Sequence, residues 1–383
     1  MANTLQLHTP ERVVILTGPR DSDPSDPRSS ICCVADRVRE LLVNVDDLAC
    51  KKEVVIAGGW NFSKDTMSAL EAQYGKLDLE SAIDTETDEP VRSGDLTRAR
   101  SQSSAAKNTL KKHELEWSLA INLIKTILDK IKGLHSLEWE TDLPFSQELW
   151  AVIPDTIQKL NLNLFVPDAE TRDVHEPHPD YFAHDDLKHV TSFEHLKILR
   201  VYNMVDSFQP FLWEAVWKNP GLVTLELGMK DKPITRDSDN GGRPMPVIDR
   251  NWEYHPERVA ADTYRGREGD GMLHHQYGHG EYLDRVAISK ARNAVMHTVG
   301  ELQSMPVTTL RLANFVVDDT SFVKFFDNLG TIVFCDSCVD AGFVLPKHLN
   351  GKVRIFTRAN GLGELIEGPE DEEEARTVIQ ADP

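Results

Sequence analysis

The sequence predicts an α/β fold, a solenoid with parallel strands on one face, helices on the other, and a long glycine-rich insertion. Three observations predict it. A short apolar form, L-x-x-L-x-φ with φ apolar, returns along the chain from Leu134 onward. Stretches of helical character fit between most of its copies. The composition, 40% hydrophobic and 27% charged with 7 Trp and 14 Phe, is that of a chain able to bury a core rather than of a disordered one.

In chain order, the first strand is expected at Arg12 to Leu16 and the second at Val54 to Ala57, alternating with helical patterns at Ile31 to Val43 and Ser63 to Tyr74. Two polar stretches, Thr17 to Ser30 and Asp84 to Asn108, lack the apolar content to offset their ordering entropy and read as loops or disordered linkers. After the second of them, Leu110, Leu115, Ile121, Ile124, Leu128 and Ile131 recur at mostly three- and four-residue intervals. This is a long amphipathic helix, with Gly133 just past its end as the stop.

The repeated form then begins. Its copies are Leu134 to Trp139, Ile157 to Leu162, Leu196 to Val201, Leu222 to Leu227, Val307 to Leu312 and Leu329 to Phe334, with a weaker one at Val353 to Ile355. Taking the fourth position as the anchor gives Leu137, Leu160, Leu199, Leu225, Leu310, Ile332 and, in the weaker copy, Val353. Four of the six separations fall within the period of about 20 to 29 residues that characterises leucine-rich repeats. Helices are expected between them at Ser146 to Val152, Ser207 to Trp217 and Thr320 to Asn328. A unit of strand, loop, helix and turn exposes one apolar face alone, so stacking the units in parallel is what buries it.

Two intervals are too long for one unit and read as insertions, at about 165–195 and 228–305. The first carries His175, His178, His184 and His189 among carboxylates, and is most simply a solvated loop. The second holds a glycine-rich centre from Gly266 to Tyr282 and is closed by a helix from Leu283 to Leu302. His274, His275, His279 and Glu281 offer imidazole and carboxylate groups that suit zinc. The helical H-E-x-x-H spacing is missing, so a loop whose His and Tyr side chains pack on the solenoid is the simpler reading, and no metal ligand is assigned. The glycines there do not lie between a strand and a helix, which argues against a dinucleotide cradle.

Cys335 and Cys338 have CxxC spacing without a second pair to complete a zinc tetrahedron, so Cys32, Cys33, Cys50, Cys335 and Cys338 are expected as thiols. No G-x-S-x-G elbow or phosphate-binding P-loop occurs. No catalytic residue and no cofactor follow from the sequence. The formal charge of -20 gives no basic footprint for nucleic acid or for an anionic membrane. Without a signal peptide or an apolar run long enough to span a bilayer, the expected location is intracellular, cytoplasmic or nuclear.

The segments Leu134 to Leu164, Tyr264 to Asp284 and Phe315 to Pro346 resemble a group of fungal leucine-rich-repeat-like proteins, some of them F-box proteins. The resemblance covers about residues 110 to 358 and implies packing rather than chemistry. The Leu-Pro pair that opens an F-box does not occur ahead of Leu110.

The chain therefore divides into an N-terminal β/α segment, 1–83, that could supply first irregular repeats, a linker 84–108, a solenoid 109–358, and an acidic tail 359–383. The residue between the two apolar anchors of each strand must point away from the core, because side chains alternate along a strand. That column reads Glu138, Asn161, Arg200, Glu226, Arg311, Val333 and Arg354. Glu138, Asn161, Arg200, Tyr202, Glu226 and Arg311 are the expected contacts to a protein partner, although Arg200, Glu226 and Arg311 could instead neutralise one another across the strands. The function expected is a non-catalytic interaction scaffold. The alternatives are a metal-dependent or hydrolytic enzyme built on the Gly/His-rich insertion, and an F-box-type adaptor lacking its F-box.

Overall fold

The computed structural model describes residues 11–18, 30–60, 104–165, 182, 184–233, 245–257, 283–299, 304–335, 337–359 and 362–367. The expected helix at Ser63 to Tyr74, the Gly/His-rich centre from Gly266 to Tyr282, and the acidic run Glu370 to Glu374 lie outside them.

Ten strands among the described residues form one sheet: β1 (Arg12–Leu16), β2 (Glu53–Gly58), β3 (Ser136–Thr141), β4 (Lys159–Asn163), β5 (Ile198–Met204), β6 (Thr224–Met229), β7 (Thr309–Ala313), β9 (Thr331–Cys335), β11 (Arg354–Ala359) and β12 (Leu362–Glu367). They lie side by side in chain order. The first nine are parallel, and β12 turns back antiparallel on β11. Two short strands, β8 (Val316–Val317) and β10 (Val339–Asp340), pair separately. The fold is thus mixed α/β with an open sheet, β1 at one edge and β12 at the other.

The strands begin in the same way. The carbonyl of Glu11 accepts from the N–H groups of both Lys52 and Glu53, and that of Lys52 from His135 and Ser136. The carbonyls of His135, Gln158, Lys197, Val223 and Thr308 each take two successive N–H groups of the next strand in the same manner. The starts of the strands from β2 to β9 are thereby pinned to their neighbours, and Arg354 N adds one such bond, to Gly330, at β11, so the register carries across the parallel strands without slipping. The anchors Leu137, Leu160, Leu199, Leu225, Leu310 and Ile332 stand in one row, extended by Val54 on β2 and Val13 on β1. A second inward row runs Ile56, Trp139, Leu162, Val201, Leu227, Leu312 and Phe334.

The weaker copy is displaced by two residues from its expected place. Ile355, not Val353, pairs with Ile332, so Phe356 stands beside Val333 and Arg354 beside Thr331. Val353, although buried, precedes the strand. Two apolar residues at equivalent spacing made the two registers indistinguishable in the sequence.

The helices α1 (Ser30–Leu42), α2 (Val45–Ala49), α3 (Ser104–Lys130), α4 (Gln209–Lys218), α5 (Arg285–Val299) and α6 (Asp319–Phe325) alternate with the strands. Helix α3 begins inside the stretch expected as linker, and its stripe Ala120, Ile121, Ile124, Ile127 and Leu128 is buried at three- and four-residue spacing. Leu115, expected in that stripe, is exposed. Between β3 and β4 the chain makes a 3-10 helix, Gln147–Val152, capped by Ser146 Oγ, which accepts from Glu148 N. Within the first insertion a second 3-10 helix, His184–Ser192, buries Leu187 and Val190, so this end of the insertion belongs to the core instead of being a solvated loop.

Both inward rows and the buried helix residues form one apolar cluster, whereas Val333 and Phe356 pack in a separate one. Helices therefore cover one face of the sheet, and the opposite, outer face carries the other half of each strand's side chains. β1 and β2 belong to this same sheet, β2 pairing directly with β3. At the strands' carboxyl ends Thr17 Oγ1 lies 2.6 Å from Thr141 Oγ1 and donates toward the carbonyls of Ala57 and Gly58. Gly58, at φ 110, passes so close to Gly18 that a Cβ there would come within 2.3 Å of its carbonyl oxygen. The acidic tail likewise begins with a paired strand, β12.

A candidate interaction face built around Glu226

The outer column runs Val55, Glu138, Asn161, Arg200, Glu226, Arg311, Val333 and Phe356. Six of the seven residues read from the sequence are where alternation put them. Arg354 is the exception, two residues before the column, where its Nη2 donates to Thr331 Oγ1 at 3.4 Å.

Glu226 organises the centre. Its Oε1 lies 3.0 Å from Arg200 Nε, its Oε2 accepts from Arg311 Nη1 at 3.1 Å, and the Tyr202 hydroxyl donates to Oε2 in a short hydrogen bond. Strands β5 and β7 flank β6, which places a guanidinium on either side of the carboxylate. Tyr202 reaches it from two residues further along β5, over Gly228, where a Cβ would meet the Tyr202 ring at 3.0 Å. The absence of a side chain at Gly228 is what lets the phenol lie across β6. Burial, and then the neighbouring Glu226 carboxylate, push the Tyr202 pKa well above its usual value of 10.0, so the phenol stays a donor.

Mutual neutralisation of Arg200, Glu226 and Arg311 is thus present, and it is deeper than alternation alone implies: Glu226 is only 2% exposed. Charge pairs at this depth hold their geometry because each lost partner would leave an uncompensated charge.

A second acidic centre lies on β3. Glu138 Oε1 is 3.1 Å from Lys159 Nζ and 3.9 Å from Arg12 Nη2. Asn161 Nδ2 donates to Glu140 Oε1 at 3.0 Å, while its Oδ1 is buried without a donor among the described residues. Asn203 Nδ2 donates to Asn163 Oδ1 at 2.6 Å, and Asn163 Nδ2 to the Thr141 carbonyl at 3.3 Å. Arg12, Glu140, Lys159, Asn163 and Asn203 were not among the residues expected here. Most stand two residues from the outer column on the same strands, and carrying the alternation one step further in each direction would have found them.

The face is split in charge. From β5 to β11 its outward positions up to Phe356 carry Arg200, Arg311 and Arg354 against Glu226. From β1 to β4 they carry Arg12 and Lys159 against Glu53, Glu138 and Glu140. The first half is a net cationic patch on a chain whose formal charge is -20.

Opposite this face, Cys338 is buried with its Sγ 3.3 Å from the Leu312 carbonyl, and none of the five cysteines is joined in a disulfide. Among the described residues no cluster of His, Cys, Asp and Glu could hold a metal ion, and no helix is long and apolar enough to cross a membrane. His189 stacks on Trp150 with ring centroids 6.1 Å apart. The residues His274, His275, His279 and Glu281 lie outside the described ones.

Compared with known proteins, the chain matches no family model and no curated sequence.

Proposed function

We propose that the chain is a leucine-rich-repeat-like solenoid, akin to the fungal proteins that Leu134 to Leu164 resembles, and that it binds a protein partner across its outer sheet face without catalysis of its own. The observation that carries this reading is the repeated strand start: seven carbonyls, from Glu11 to Thr308, each accept the first two N–H groups of the next strand. Units joined in so regular a manner align one outward position per unit into a continuous row, which is how repeat proteins build an extended binding surface. The polar content of that row suits recognition. Arg200, Arg311 and Tyr202 belong to the types enriched at binding hot spots, and the Glu226 carboxylate fixes all three in place before a partner arrives.

The test compares three forms of the protein as bait: the natural chain, an outer-face variant Thr224→Arg with Thr309→Arg, and a helix-face variant Lys290→Glu. A partner held by the first and third and lost by the second supports the reading. A partner lost only with the helix-face variant sinks it.

A further inference from the structure

The last strand, β12, ends at Glu367, which pairs with Ile355 where the parallel strands begin. The chain beyond it carries five consecutive acidic residues, Glu370 to Glu374. At that same end of the sheet the outward positions nearest β12 are Arg354, Thr331, Thr309 and Thr224, a polar path with Arg311 and Arg200 in the row two residues further along the strands. Adjacent strands lie about 4.8 Å apart, so Arg311 is three spacings from β12, roughly 14 Å, and Arg200 five spacings, roughly 24 Å. An extended chain advances about 3.4 Å per residue, so Glu370 to Glu374 reach roughly 10 to 24 Å from Glu367. Reach and charge coincide: the five carboxylates span the distance over which the face is net cationic.

We propose that the acidic segment Glu370 to Glu374 is the resident occupant of the cationic half of the outer face, lying over Thr309 between Arg354 and Arg200. As an occupant it is independent of any external ligand. As an intramolecular competitor that an acidic partner must displace, it rests on the binding function proposed above. Tethered so closely, the segment acts at an effective concentration in the millimolar range, enough to fill a site of modest intrinsic affinity.

The probe is a fluorescent peptide of residues 368–383, and the protein is the full chain in two forms, natural and with Glu370, Asp371, Glu372, Glu373 and Glu374 changed to Gln or Asn. Anisotropy should show the peptide binding the neutralised chain at least tenfold more tightly than the natural one. Adding Thr309→Glu to the neutralised chain, which leaves the pairs around Glu226 intact, should weaken binding at least fivefold, and Lys290→Glu on the helix face should leave it unchanged. Equal affinity for the two chains, no binding to the neutralised chain, or indifference to Thr309→Glu would each overturn the proposal. No external partner enters this measurement, so it can fail while the binding function stands, and the reverse.

Discussion

Glu226 and Arg311 stand on neighbouring strands 85 residues apart in the chain and join through an Nη1 to Oε2 contact of 3.1 Å. The long crossover between them is spanned by a register set at the strand starts, where Thr308 and Thr309 both donate to the Val223 carbonyl. The ion pair is therefore a consequence of backbone geometry laid down several residues earlier, and it tolerates a large insertion in the loop because loop length costs little.

Replacing Glu226 by Ala should destabilise the fold by about 3 to 5 kcal/mol, since it leaves two guanidinium groups and a phenol around an empty buried position. Alternation by itself suggests a surface position worth within about 0.5 kcal/mol. Urea unfolding distinguishes the two, and a small change would mean that the arginines find other acceptors.

Leu199, Leu225 and Leu310 occupy one inward row and are fully buried. Truncating any of them to Ala should cost about 2 to 5 kcal/mol through lost burial and the cavity left behind. Similar costs at all three would follow from their equivalent places, and one mild value among them would mark a local collapse around that strand.

Asn219 holds the turn after α4 from three sides. Its Oδ1 accepts from Leu196 N at 2.7 Å, and its Nδ2 donates to the carbonyls of Phe193 and Ala215, both at 2.8 Å. Asn219→Leu removes every bond, so it should cost several kcal/mol at the rate of about 1 to 3 for each buried group left unpaired. Asn219→Asp keeps the acceptor for Leu196 N but turns a buried carboxylate oxygen toward the Phe193 and Ala215 carbonyls, so it should cost at least as much. A thermal melt in which either variant matches the natural chain would contradict the clamp.

The Tyr202 phenol is raised in the folded state, so its contribution to stability is complete below the usual value of 10.0 and is lost as the pH climbs past it. In the unfolded chain this tyrosine ionises near pH 10 while the folded one does not, and the unfolded state gains. Stability should therefore fall more steeply above pH 10 for the natural chain than for Tyr202→Phe. Parallel pH profiles for the two proteins would show that Tyr202 ionises freely in the fold.

How much of this was legible in the sequence follows from which signals are local. The L-x-x-L-x-φ form fixes two inward positions and the outward one between them, so the row from Leu137 to Ile332 and the column from Glu138 to Val333 could be read directly. Direction is local, but depth is not. The column already sets Arg200, Glu226 and Arg311 side by side, but nothing near Glu226 in the chain announces its burial, which depends on Tyr202 crossing Gly228 from another strand. The brace at the far end was equally hidden. Trp252 Nε1 donates to the buried Asp340 at 2.9 Å, and Ile248 N to the Cys338 carbonyl at 2.7 Å, contacts made by a segment of the second insertion for which the sequence suggested no element.

The register of β11 gives the sharpest test of the sheet, because two readings differ by a two-residue shift that preserves inward and outward alternation. With Val353 as anchor, Arg354 joins the outer column; with Ile355 as anchor, Phe356 does, beside Val333. The second places a large ring on the outer face at 1% exposure, packed with Val333 and Cys335. Phe356→Ala should then cost about 3 to 5 kcal/mol, the range for a buried aromatic. Arg354→Ala, losing only a 3.4 Å bond to Thr331, should stay within about 0.5 kcal/mol. Denaturant unfolding of the two single variants decides between the registers: a severe Arg354 change beside a mild Phe356 change would restore Val353 as the anchor, and would move the last residue of the outer column with it.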